Sequence, residues 1–102
     1  MKFKHRWEIE TEKEMGVLFK ENDKNLHNLI VDEVLLHYRN RKKTIPIVSI
    51  FVQDTNIYYD ICVDPQDILE TLTQNLKIME NYEDYERCAK ILKIVEIFKN
   101  KG

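Results

Sequence analysis

The chain has 102 residues, 43% of them apolar and 33% charged, with a formal net charge of −2 and an isoelectric point near 5.9. That length holds one domain, expected to span residues 1–102, with enough apolar side chains for a core that needs no disulfide or metal staples. The nearly balanced charge excludes a strong global basic field, and with it avid non-specific binding to nucleic acid. The first ten residues lack the apolar core of a secretion signal, and apolar runs such as 45–52 are too short to cross a bilayer. The expectation is therefore a cytoplasmic protein with no membrane partner.

Residues 2–10 alternate, with Phe3, His5, Trp7 and Ile9 on one face and Lys2, Lys4, Arg6, Glu8 and Glu10 on the other. Period two with one charged face predicts a half-buried edge strand, and the charged row discourages edge-to-edge aggregation. A helix competes here, because Thr11 to Lys20 tolerate helix, although Gly16 interrupts that stretch. Residues 21–25 are polar and turn-like, and Asp23 is placed to cap a helix over 24–41. Leu26, Leu29, Ile30, Val34 and Leu35 give that helix a broad apolar face that needs cover on more than one side.

From Ile45 to Val52 the chain is rich in β-branched residues, residues 53–56 form a turn, and Ile57 to Val63 resume an extended pattern. This predicts a β-hairpin over 45–63. Its first strand is apolar on both faces, with Ile47 and Phe51 on one and Val48, Ile50 and Val52 on the other. Such a strand is central, or its outer face meets something else. The second strand sets Ile57, Tyr59, Ile61 and Val63 opposite Tyr58, Asp60 and Cys62. Asp64, Pro65 and Asp67 then open a helix over 66–80 carrying Ile68, Leu69, Leu72, Leu76 and Met79. Asn81 to Asp84 form a second cap, and a last helix over 83–99 sets Tyr85, Cys88, Ile91, Leu92, Val95 and Phe98 in one inward stripe. The expected fold is α+β: a small antiparallel sheet built on hairpin 45–63, with residues 2–10 as a third strand, covered by helices. It ends in an αα-hairpin over 66–99, in the order β-α-β-β-α-α.

In residues 68–99 an apolar-spaced first helix with Leu72 and Leu76 is followed by a short acidic turn. The run Glu83-Asp84-Tyr85-Glu86-Arg87-Cys88-Ala89 then opens the second helix. This segment resembles the UVR motif, the helical-hairpin interaction module of nucleotide-excision-repair proteins, stress-response adaptors and some Clp-type unfoldases. Tyr85 matches the aromatic position, Glu86 the acid, Cys88 and Ala89 the two small positions, and Ile91 the following aliphatic. Small residues at 88 and 89 are expected to let the helices approach closely, Tyr85 to close the turn end, and Glu86 to suit the helix dipole. Leu92-Lys93 stand where the family carries an Arg-Asp pair, so contacts made by that pair are not reproduced. The resemblance implies docking between hairpins, in a partner or a second copy, and no catalysis. The alternative is an ordinary amphipathic hairpin packed on its own sheet.

Glu80, Glu83, Asp84 and Glu86 crowd the hairpin tip beside Tyr82 and Tyr85. Solvation alone accounts for such a tip, but tyrosines enriched at interface hot spots also make it a docking surface for a basic partner. Arg39, Arg41, Lys42 and Lys43 form the one basic cluster, in or just beyond the last turn of the 24–41 helix. There they complement the helix dipole; a nucleic-acid contact, joined by Lys2, Lys4 and Arg6, is the second reading. His5, His27 and His37 lack metal-pair spacing, and Cys62 and Cys88 belong to no zinc pattern. Ser49 has no nucleophile-elbow glycines, and with two glycines in the chain there is no phosphate loop. These features predict no catalytic residues, no metal and no cofactor. The function expected is a non-enzymatic adaptor, modulator or inhibitor docking on a larger protein through the C-terminal hairpin. Alternatives are a nucleic-acid-associated protein using 39–43, or a self-associating homodimer held through the 45–52 strand.

Overall fold

The computed structural model describes residues 2–100; residues 1, 101 and 102, which the expected span 1–102 includes, lie outside the described residues. Strand β1 (Arg6–Ile9) leads into helices α1 (Glu12–Lys20) and α2 (Lys24–His37). Strands β2 (Ile45–Val52) and β3 (Ile57–Val63) follow. A single 3-10 turn (Pro65–Asp67) then introduces α3 (Ile68–Asn81) and α4 (Tyr85–Asn100). The architecture is α+β and ends in a helix pair, but the sheet is mixed rather than purely antiparallel. Its order is β1-β2-β3, with β1 parallel to β2 and β3 antiparallel to it. The connections fit this: β1 reaches β2 through two helices, a crossover long enough for parallel pairing, whereas the short 53–56 turn can only reverse the chain.

Alternation in β1 survives as expected, over a shorter strand. Trp7 and Ile9 pack toward the core while Arg6 and Glu8 are exposed. Helix α1 is not among the expected elements, yet its start is written locally. The Thr11 hydroxyl accepts from the Glu14 N–H at 3.2 Å, a Thr-x-x-Glu cap that outweighs the cost of Gly16. Glu12 fastens the same turn to the sheet, accepting from the Thr55 and Tyr59 hydroxyls, each at 2.8 Å. That hydrogen bond pushes the Tyr59 phenol above its usual pKa. Helix α2 stops at His37 rather than 41, because Asn40 accepts from the Lys42 N–H and turns the chain.

The core gathers on β2. Ile45, Ile47, Val48, Ile50 and Val52 are buried there against Leu26, Val31 and Val34 of α2, Ile68, Leu72 and Met79 of α3, and Ile91 and Val95 of α4. Strict alternation assigns Ile47 to the same face as Phe51. Instead the pairing slips between Pro46 and Val48, and this β-bulge leaves Ile47 at 0% exposure while Phe51 stays half-buried. One polar pair crosses the helical layer: His27 Nδ1 lies 2.8 Å from Asn75 Oδ1, while the Asn75 amide donates to the Thr71 carbonyl. With its amide N–H so used, Asn75 accepts and His27 donates.

Ile47→Ala tests the bulge. It is expected to destabilise the protein by about 3 kcal/mol in urea unfolding, as for a core isoleucine. A loss below about 1 kcal/mol would place the side chain at a surface.

Candidate functional site

The two helix-to-helix turns share one design. After α3, the Asp84 N–H donates to the Met79 carbonyl at 2.9 Å and the Glu83 N–H to the Glu80 carbonyl at 3.0 Å. After α1, the Asp23 N–H donates to Leu18 and the Asn22 N–H to Phe19 in the same pattern. This double closure requires a left-handed residue, supplied by Asn22 (φ 51°) and Glu83 (φ 58°). The aspartate that follows each caps the next helix, Asp23 accepting from the Leu26 N–H and Asp84 from the Arg87 N–H. The turns are also tied together: the Tyr82 hydroxyl donates to the Asn22 carbonyl at 2.7 Å, and the Lys24 ammonium lies 5.8 Å from the Tyr82 ring centre.

Arg87 locks the tip to α2. Its Nε and Nη2 donate to the two Asp32 oxygens at 2.9 and 2.7 Å, and its Nη1 donates to Asp84 at 2.7 Å. A guanidinium fork matched to one carboxylate, with a second carboxylate on its remaining nitrogen, fixes orientation as well as charge. The bond from Arg87 lowers the Asp84 pKa, and the bond to Asp32 raises that of Arg87.

Of the six residues expected at the tip, Glu80, Tyr82, Glu83, Tyr85 and Glu86 are exposed and Asp84 is half-buried as a cap. They come together as a surface, but with different roles from those expected. Tyr82, not Tyr85, closes the turn. Tyr85 is 67% exposed and Leu92 is 50% exposed, although the spacing assigns both to the inward stripe. The buried stripe is Cys88, Ile91, Ile94 and Val95, the face that α4 turns toward α3 and α2. Only one of the two small residues reaches the helix seam: Cys88 is buried with Sγ 3.9 Å from the Leu76 carbonyl, and Ala89 is exposed. Burial raises the Cys88 thiol pKa. Tyr85, Ala89 and Leu92, at spacings of four and three, thus form an exposed apolar stripe, flanked on one side by Glu86 and Lys93 and on the other by the buried Cys88 and Val95.

The basic cluster lies beyond the end of α2 and divides. Arg41 stacks 4.3 Å from the Phe98 ring centre and Arg39 lies 5.4 Å from that of Tyr38, so both guanidiniums rest on rings of their own chain. Lys42 and Lys43 are exposed, and Lys43 shares a recess with Lys4, His37 and Asn40. Arg6 lies instead on the sheet. Cys88 is buried and Cys62 half-buried, with no disulfide between them. Among the described residues no three His, Cys, Asp or Glu side chains are grouped to hold a metal ion, and no helix is long and apolar enough to cross a membrane.

No family model, curated protein or solved structure matches this chain.

Two measurements probe the tip. Arg87→Met removes the group that depresses the Asp84 pKa. A depressed native carboxylate stabilises above its unfolded pKa, ordinarily 3.8, and loses that contribution as pH falls through the native value. The stability gap between wild type and Arg87→Met in denaturant titrations is therefore full above about pH 4 and shrinks at lower pH. Glu83→Gly relieves a left-handed glutamate and is expected to raise stability by about 0.5–1 kcal/mol in the same titrations.

Proposed function

We propose that this protein is a non-catalytic interaction protein, an adaptor, modulator or inhibitor, that docks on a larger protein through its C-terminal helical hairpin. The observation that carries the reading is the stripe Tyr85–Ala89–Leu92, exposed along the border of the helix face that meets the core. Apolar side chains at i, i+4 and i+7 with charged neighbours are the form in which one helix meets another. Tyrosine is a residue that anchors such contacts.

The tip supports the same reading. Its caps, the Arg87 clamp and the Tyr82 tie hold the start of α4 in place before any partner arrives, so little ordering entropy remains to be lost on docking. Glu83 keeps a strained backbone conformation that glycine adopts more easily, and leaves its carboxylate in solvent. Together with Glu80 and Glu86 it steers a basic rim of the partner toward the stripe. On this reading the resemblance of residues 68–99 to UVR hairpins is kinship, the partner surface is itself helical, and Leu92-Lys93 replace the family's charged pair with an apolar contact.

A nucleic-acid role is the second reading, favoured by the recess that Lys4 and Lys43 share. Arg39 and Arg41 keep their charge there, but with their guanidiniums held against Tyr38 and Phe98 they are less free to follow a phosphate backbone.

Affinity capture from the source cells, quantified by mass spectrometry, tests the hairpin. A protein retained by wild type is expected to fall at least about tenfold with Tyr85→Ala/Leu92→Lys, the loss of a hot-spot pair. The circular dichroism spectrum and thermal midpoint should stay unchanged. Retention undiminished by both substitutions would place the contact elsewhere.

A further inference from the structure

The sheet has a second face. Helices cover the side that carries Ile50 and Val52, and the alternating residues of all three strands point the other way. The pairing register sets these in two rows: Arg6, Ser49 and Asp60 in one, and Glu8, Phe51 and Tyr58 in the next. Ser49 donates to Asp60 at 2.7 Å, which holds that carboxylate on the face. The Phe51 and Tyr58 rings lie 4.7 Å apart and tilted by 42°. Tyr58 is 65% exposed and stands up from the strand. Beside these rings, toward β1, a recess of about 350 Å³ is lined by Arg6, Trp7, Glu8, Ser49, Phe51 and Tyr58.

We propose that this face pairs with the same face of a second copy of the chain. The arrangement is self-complementary about a two-fold axis that runs along β2, midway between two stacked sheets. Such an axis sets β1 of one copy over β3 of the other and leaves each row facing itself. Arg6 then meets Asp60 of the second copy, twice by symmetry. Tyr58 reaches over Glu8 of the second copy, where its ring enters the recess and its hydroxyl has a carboxylate to donate to. Phe51 meets its counterpart at the centre. Each charged side chain of these two rows thus finds an opposite charge or a donor, and Tyr58 finds the recess. Phe51 on a central strand, only half-buried in its own chain, is the kind of side chain that sheet-on-sheet packing buries. A nucleic-acid strand stacked on the same rings is disfavoured by Glu8 and Asp60 beside them. Three short strands make a small interface, so the association is weak, with a dissociation constant in the micromolar range. The inference does not depend on the hairpin reading, because none of its residues lies in α3 or α4.

Sedimentation velocity on the full chain, from about 5 to about 300 µM, brackets that affinity. A concentration-dependent monomer–dimer equilibrium is expected. Arg6→Glu and Asp60→Arg should each weaken it at least about tenfold by opposing like charges. Mixing the two single variants should restore dimers. Across the axis the carboxylate introduced in one variant then faces the guanidinium introduced in the other, and the native Asp60 of the first faces the native Arg6 of the second. Combining both changes in one chain should restore a homodimer to within about threefold of wild type. Circular dichroism on each variant confirms folding, and Tyr58→Ala gives an independent loss of dimer without touching charge. A chain that is monomeric throughout overturns the proposal. So does a dimer indifferent to Arg6→Glu and Tyr58→Ala, or a mixture no more associated than its components.

Discussion

Strand β2 is the constraint on which the rest of the molecule depends. It is hydrogen-bonded along both edges, parallel on one side and antiparallel on the other. Five of its eight residues are buried core hydrophobics. Helix α2 packs directly on this strand, and the buried faces of α3 and α4 join the same cluster, in which Ile45, Ile47, Val48, Ile50 and Val52 converge. The bulge at Ile47 adds one more side chain to that layer than a regular strand can deliver. A core so one-sided leaves the opposite face of a three-stranded sheet without a helix over it, and the partly exposed aromatic shelf of Phe51 and Tyr58 follows from it.

The helical layer is held by polar devices at its ends rather than by packing alone. Two turns of the same construction, at 21–23 and 82–84, each close one helix and cap the next within three residues. The Tyr82 hydroxyl and the Arg87 guanidinium join the second turn to the first and to α2. These bonds lie at the rim, where each is worth little by itself. Their joint effect is geometric: they set the rotation of α4 about its axis. That rotation decides which of its side chains reach the core and which face solvent, and so makes an outward stripe of Tyr85, Ala89 and Leu92.

The two surfaces read as interaction sites belong to different layers. The stripe lies on the helical layer, and the Phe51–Tyr58 shelf lies on the far side of the sheet. Pairing through the shelf leaves both hairpins uncovered, one on each copy. Two docking elements on one particle raise the effective concentration of the second once the first is engaged, with no new contact. On the proposed reading, a modest single-site affinity then suffices for a partner that is itself oligomeric or repetitive.

Periodicity and local turn chemistry carried a large part of this fold in the sequence itself. The alternation of residues 6–9, the β-branched hairpin, the caps at Asp23 and Asp84 and the apolar spacing of the last two helices are short-range signals, and each element formed close to its expected place. Thr11 with Glu14 was an equally local signal for α1, obscured by Gly16. Direction and rotation were settled elsewhere. The parallel pairing of β1, the turn of Ile47 into the core, the outward face of Tyr85 and Leu92, and the grip of Arg87 on Asp32 fifty-five residues away all join parts of the chain that share no local pattern. A residue's neighbours along the chain determine which backbone shape it can adopt; which side of that shape is buried depends on the surface it meets, and only the assembled layers supply one.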